Sequence, residues 1–338
     1  MRFIQHIGSS LRSGSLRLLM LAGVILLVWG TVSPVGTLVW WLNYAERLSL
    51  KKQQPPDERD RPSSTRSSID CYIVFLPGVG EFSADQLAPA EHWFLDRLAK
   101  QHPNCVTVRD VFPYSAANKD LTGERLLAPM WRRAEGAKGW LKNADVLIKI
   151  RNLWRFAISA DDRYGPVYNR GIADAVVDRM NAAQPLPRTQ QPLKLVLIGT
   201  SGGAQVALGA ASYLKQQLNA QIVVVSAGGV FDGTNGFDSV THVYHLQGER
   251  DWIEDISQVV FASRWNWTVT SPFNQARQRG CYTSLSTGSH AHDGPEGYFG
   301  SAIAQPPNTT YVELTLQVVN QLPIWSTTPR SSNPCVAQ

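Results

Sequence analysis

The most constraining feature of this chain is a junction near its middle. Residues 193–198 are an aliphatic run of strand length, and residues 202–218 carry the small and apolar spacing of a helix. Only Gly199-Thr200-Ser201-Gly202-Gly203 is available to turn one into the other. So sharp a turn closes only when the neighbours of the serine are small, and it lifts the serine clear of the backbone. A strand running straight into a helix also dictates βαβ units. The remaining pattern agrees, with strands expected over 71–76, 106–112, 221–226, 240–246 and 282–285, and helices over 88–101 and 172–183. Residues 113–170 read as irregular, apart from a helix suggested near 121–141. The alternation predicts an α/β domain over 69–322 whose mostly parallel sheet has helices on both faces.

The segment before this domain is of another kind. Residues 18–45 form a 28-residue stretch without a charge, closed by Trp40, Trp41 and Tyr44, where an interfacial aromatic belt would stand. This predicts one N-terminal transmembrane helix, a single-pass anchor rather than a cleaved signal, behind a basic N-terminus over 1–17. Residues 46–68 read as a polar tether and 323–338 as a flexible tail. The formal charge of +5 comes from 32 basic and 27 acidic residues. Nine of the basic and four of the acidic residues lie in 1–68, so residues 69–338 hold 23 of each. A basic excess flanking an apolar span suits anionic lipid headgroups and argues against a nucleic-acid partner. Which side of the membrane the domain occupies is left open, because Arg2, Arg12 and Arg17 balance Arg47, Lys51 and Lys52. Cys71, Cys105, Cys281 and Cys335 show no C-x-x-C spacing, so no zinc or redox motif is implied, and both disulfides and free thiols are compatible with the count.

A serine hydroxyl is a poor nucleophile until a base takes its proton. On strand–turn–helix elbows the acid follows the serine in the chain, and the histidine follows the acid. Of the seven histidines, only His290 and His292 meet that order, in a loop after the last expected strand. His292 opens the Gly-rich stretch His292-Asp293-Gly294 and is the first choice, with His290 as the alternative. For the acid, Asp251 follows the strand over 240–246 directly; Asp232, in the preceding loop, is the alternative, and Asp255 is weaker. An oxyanion needs backbone donors, expected from Gly202 and from Val79 in the Pro77-Gly78-Val79-Gly80 loop.

Together these pieces resemble the α/β-hydrolase family over roughly residues 69–320, in the compact form of cutinase-like and small lipase-like members. The resemblance implies a serine esterase, lipase or thioesterase working through an acyl-serine intermediate on a small-molecule or lipid ester. It implies no cofactor and no metal, and leaves the oligomeric state open. The same residues would serve an acyltransferase, and a catalytically silent binding or scaffold protein on this fold is a reading of another class. The chain departs from the family in starting its sheet late and in lacking room for a cap between 226 and 240. Any lid falls to 113–170 or 252–280, where Trp131, Trp140, Trp154, Phe156, Trp252, Phe261, Trp265, Trp267 and Phe273 form either a substrate wall or satellite core.

Overall fold

The computed structural model describes residues 69–80, 87–114, 144–186, 191–305 and 307–325. The expected anchor over 18–45, its flanks at 1–17 and 46–68, and the helix suggested near 121–141 lie outside the described residues. Among the described residues no helix is long and apolar enough to cross a membrane.

Six strands form one parallel sheet. They are β1 (Cys71–Leu76), β2 (Cys105–Val108), β3 (Leu193–Thr200), β4 (Ala220–Ala227), β5 (His242–Gln247) and β6 (Tyr282–Ser286), in the order β2-β1-β3-β4-β5-β6. The helices are α1 (Pro89–Gln101), α2 (Ala144–Ala160), α3 (Gly165–Ala183), α4 (Gly202–Gln217), α5 (Trp252–Val260), α6 (Pro272–Gln278) and α7 (Tyr311–Asn320). A two-stranded ribbon, β7 (Ile303–Gln305) with β8 (Thr309–Thr310), precedes α7.

The central strands β1, β3 and β4 are mostly apolar because both faces of the sheet are covered there. Successive residues of β1 go to opposite sides. Tyr72, Val74 and Leu76 join Leu195 and Leu197 under α3 and α4, where Ile172, Val176, Val206 and Leu208 pack. Ile73 and Phe75 join Val196 and Ile198 under α1 and α7, against Phe94, Leu98, Val312 and Leu316. Cys71 and Cys105 stand opposite each other in the β1–β2 ladder and are joined by a disulfide.

Chain order reverses between β1 and β3: the first crossover leaves β1 toward β2, and the next returns to place β3 on the other side of β1. Loops at the carboxyl ends of two such strands diverge and leave a crevice, the usual binding position in open α/β sheets. Here those loops are Pro77–Gly80 and the turn at Ser201.

The structure differs from the expectations at several elements. The second strand stops at Val108, and the third helix begins at Gly165 rather than 172. Helices α2, α5, α6 and α7 occupy stretches without an expected element. The ordered chain also runs past residue 322, since Pro323–Trp325 forms a 3₁₀ turn with Ile324 buried and Trp325 stacked on His102.

Packing of α4 on β1 is tight at Gly203. A Cβ there would lie 2.1 Å from the Leu76 carbonyl oxygen and 2.7 Å from that of Pro77. Gly203→Ala is therefore expected to force α4 off β1 and cost about 1–3 kcal/mol, the range for overpacking a close-packed core. Urea denaturation checks this, and an unchanged midpoint would contradict the packing described.

Candidate active site

The strand–turn–helix junction has the backbone that its sequence requires. Ser201 sits at φ 50 and ψ −126 and is the one non-glycine residue with positive φ among those described. That conformation costs on the order of 1–3 kcal/mol and persists only where the surroundings enforce it. Three backbone hydrogen bonds do so: the Ser201 N–H donates to Ala227 O at 3.1 Å, and Ser201 O accepts from Ala204 N at 3.1 Å and Val230 N at 3.0 Å. Gly199 leaves room for the turn, since a Cβ would sit 2.6 Å from the Ala204 backbone.

Two loops carry partners to the serine. Beyond β5 and β6 the chains continue side by side, with Arg250 bridging to Ala291 and Arg250 N donating to His290 O at 3.1 Å. The next residue on each chain is Asp251 or His292, so the bridge sets these two next to one another. The His292 Nδ1 lies 2.8 Å from Asp251 Oδ1, and its Nε2 lies 2.9 Å from Ser201 Oγ. Asp251 is buried and caps α5, accepting from the Glu254 N–H at 3.1 Å. Its second oxygen accepts from the Tyr298 hydroxyl at 2.9 Å. In this line an imidazole can accept the serine proton while a buried carboxylate steadies the resulting imidazolium.

The loop Pro77–Gly80 closes the crevice on the other side. Gly78 packs against Ser201, with a Cβ built there falling 3.3 Å from that of the serine. Its carbonyls are held by neighbours: Tyr114 donates to Pro77 O at 3.1 Å, and the buried Asn152 of α2 donates to Val79 O at 2.9 Å. Gly202 is the first residue of α4, so its N–H has no partner within the helix. A Cβ on Gly202 would strike the Val79 side chain at 2.9 Å, so the two residues expected to supply donors are packed against each other.

The alternatives have other partners. His290 is fully buried; its Nε2 lies 3.0 Å from Tyr311 O and 3.2 Å from Thr315 Oγ1. Burial pushes its pKa down, and it stacks on Tyr298 rather than reaching Ser201. Asp232 shapes the turn after β4, accepting from Thr234, Asn235 and Gln205. Asp255 accompanies neither residue, pointing from the first turn of α5. Arg250 pairs with Glu296 at 2.6 Å and donates to Ser289 O, so it is not the ion-pair partner of Asp251. Among the described residues no cluster of three or more His, Cys, Asp or Glu is placed to hold a metal.

Behind the acid lies a second polar group that sequence patterns did not reveal. Glu254 has no exposed side-chain surface and accepts from Arg264 at 3.0 Å, Gln247 at 2.7 Å and Gln258 at 2.7 Å. Its Oε1 also lies 3.1 Å from His245 Nε2, and His245 Nδ1 lies 3.0 Å from Ser226 Oγ. Burial lowers the His245 pKa, against the Glu254 contact that would raise it. Burial alone would raise the Glu254 pKa, but the His245 and Gln258 hydrogen bonds and the Arg264 charge outweigh it and bring the value to about 2. Asn152, Glu254 and Tyr298 stand in no sequence motif; Asn152 and Tyr298 are brought in by remote segments, and Glu254 comes from the first turn of α5 itself.

No family model matches the chain, and no curated protein matches it with significance. The chemistry of the site rests on its geometry.

A carboxyl whose folded pKa lies below its unfolded value stabilises above the unfolded pKa, and this stability fades as pH falls through the folded one. For Glu254 that window runs from its ordinary 4.5 down to about 2. Glu254→Gln is expected to be less stable at pH 7 and to lose less stability across that window. Denaturation at several pH values tests this; parallel wild-type and variant curves would refute it.

Proposed function

We propose that this chain is a serine hydrolase of the α/β-hydrolase type, held at a membrane by residues 18–45. It would cleave an ester or thioester with an apolar acyl part. The observation that carries the reading is the unbroken line Ser201–His292–Asp251, with separations of 2.9 and 2.8 Å, on a backbone strained at the serine.

In this reading His292 Nε2 takes the Ser201 proton as Oγ attacks the acyl carbon. The carbonyl oxygen gains the negative charge and is met by the N–H groups of Gly202 and Val79. When the tetrahedral intermediate collapses, the bond to the leaving oxygen or sulfur breaks. His292 then returns the proton to that leaving group, and the acyl group remains on Ser201. Water repeats the sequence against the acyl-serine, giving the free acid and restoring the hydroxyl. Asp251 stays ionised and stabilises the imidazolium at each step.

Two further observations favour an apolar substrate and a surface setting. Trp252, Ile256, Val259 and Val260 are spaced along one side of α5, the helix that begins at Asp251, and are 63%, 49%, 70% and 65% exposed. Trp267 lies beyond them at 74% exposed, whereas Phe273 and Phe156 are buried and serve as core. The Cys71–Cys105 disulfide favours an oxidising compartment for the domain.

Ser201→Ala is expected to abolish fluorophosphonate labelling and lower ester turnover at least about 10³-fold, with His292→Ala close behind. A folded Ser201→Ala protein that turns over short-chain esters like wild type would end the hydrolase reading. Absent labelling of folded wild type would favour the binding-protein alternative. Among p-nitrophenyl esters, kcat/KM should rise from acetate toward octanoate by about ten-fold or more. Equal values along that series would refute the apolar-acyl assignment.

A further inference from the structure

The buried carboxylate of Asp251 has four lone-pair sites, and an ionised group taken from water must be satisfied within the protein. Its Oδ1 receives two donors, His292 Nδ1 and the Glu254 N–H. Its Oδ2 receives the Tyr298 hydroxyl. That hydroxyl is not free to turn elsewhere, because it accepts the Gly248 N–H at 2.7 Å and so has its proton left for the carboxylate.

The tyrosine is held for this contact from several sides. Its ring is buried and stacks on His290 at 5.3 Å. Thr315 of α7 donates to Tyr298 O at 2.7 Å. Gly228, just past β4, sits at φ +54, where side chains are strained. A Cβ on Gly228 would fall 2.2 Å from the Tyr298 ring and 2.7 Å from Asp251 Oδ2. The residue that leaves space for the tyrosine–aspartate contact is therefore the only type that fits there.

We propose that Tyr298 is a positioning residue for the acid–histidine pair, fixing the Asp251 carboxylate so that Oδ1 faces His292 and withdrawing part of its charge through Oδ2. This rests on the hydrolase reading, since it assigns a role within that site. A carboxylate sharing its charge with a phenol is a weaker base and pulls less on the imidazolium. Removing the hydroxyl leaves Oδ2 buried without this donor, concentrates charge beside His292 and favours the imidazolium. Burial and the neighbouring Asp251 push the Tyr298 pKa up, so the phenol remains a donor wherever the protein is folded.

The other titratable and charged groups nearby are Glu254 on α5 with Arg264, His245 on β5, and His290 behind the tyrosine ring. Arg250 with Glu296 lies at the rim, and Asp293 follows His292 in the chain. None is altered by an exchange of Tyr298 for phenylalanine, so a change in titration would be due to the lost hydroxyl.

The test uses full-length protein in detergent micelles, comparing wild type, Tyr298→Phe and a form with 3,5-difluorotyrosine placed at 298. Turnover of p-nitrophenyl butyrate is followed against pH, together with the downfield proton NMR signal of the His292 Nδ1–H, assigned by its loss in His292→Gln. In Tyr298→Phe, kcat should fall about ten-fold with KM within two-fold, as for loss of an outer positioning group. The acid limb should move to higher pH, and the downfield signal should shift or broaden. The fluorinated phenol, a stronger donor in the same fold, should move the acid limb to lower pH. A purely structural tyrosine would lower thermal stability and leave both the acid limb and the downfield signal in place, and that result would overturn the proposal. Loss of turnover in Ser201→Ala with the downfield signal retained upholds the hydrolase reading separately. If Ser201→Ala keeps turnover, that reading fails, while the NMR comparison still decides whether Tyr298 sets the Asp251–His292 contact.

Discussion

The backbone of Ser201 is where the structure concentrates its constraint, and the rest of the site is arranged around keeping it there. A side-chain-bearing residue at φ 50 would relax if the chain on either side could move. Movement is blocked in three directions: by Ala227 at the end of β4, by Val230 in the loop that follows, and by the first turn of α4. The small residues around the serine bring α4 close enough to the sheet for Gly202 to pack against Val79. The strain at Ser201 and this contact thus have a common cause, the close approach of a helix to the strand that feeds it.

Asp251 and His292 reach the serine by a different device. Rather than each loop being held separately, the two are paired past the ends of their strands through Arg250 and Ala291, so their side chains are delivered in register. Beneath them, Glu254 contributes twice. Its N–H holds Asp251, while its carboxylate is held by Arg264, Gln247 and Gln258. A buried carboxylate with this many donors resists displacement, since moving it away from Arg264 would leave an uncompensated buried charge. The first turn of α5 is therefore anchored from inside, which leaves its outward face free to carry Trp252, Ile256, Val259 and Val260.

Side-chain hydrogen bonds at the site are used mostly to fix backbone. Tyr114 and Asn152 hold the carbonyls of the Pro77–Gly80 loop, Thr315 holds Tyr298, and Tyr298 accepts from Gly248. Backbone donors aimed at a developing charge gain most when they need no reorganisation during the reaction. Four distant parts of the chain are spent on that rigidity, while Ser201 and His292 stay only partly buried.

The sequence by itself determined the sheet-and-helix alternation, the elbow and the order of Ser201, Asp251 and His292, because these depend on local patterns. Aliphatic runs, helical spacing and small residues at a turn act over a few neighbours and can be read without the fold. Choosing His292 over His290 needed more. Both lie in one loop two residues apart, and only the Arg250–Ala291 bridge turns one toward the serine while Tyr311 and Thr315 take the other. The same holds for Asp251 against Asp232, which differ in the partners that the fold brings to them. Helices α2 and α5 turn their apolar residues outward, α2 with Ile150, Leu153 and Trp154 and α5 with Trp252, Ile256, Val259 and Val260, while α5 buries Glu254, so only the fold shows which face is inside. Tertiary structure decided Asn152 and Tyr298 as well, for a physical reason: each acts through a contact between segments far apart in the chain, and no local pattern records such a contact.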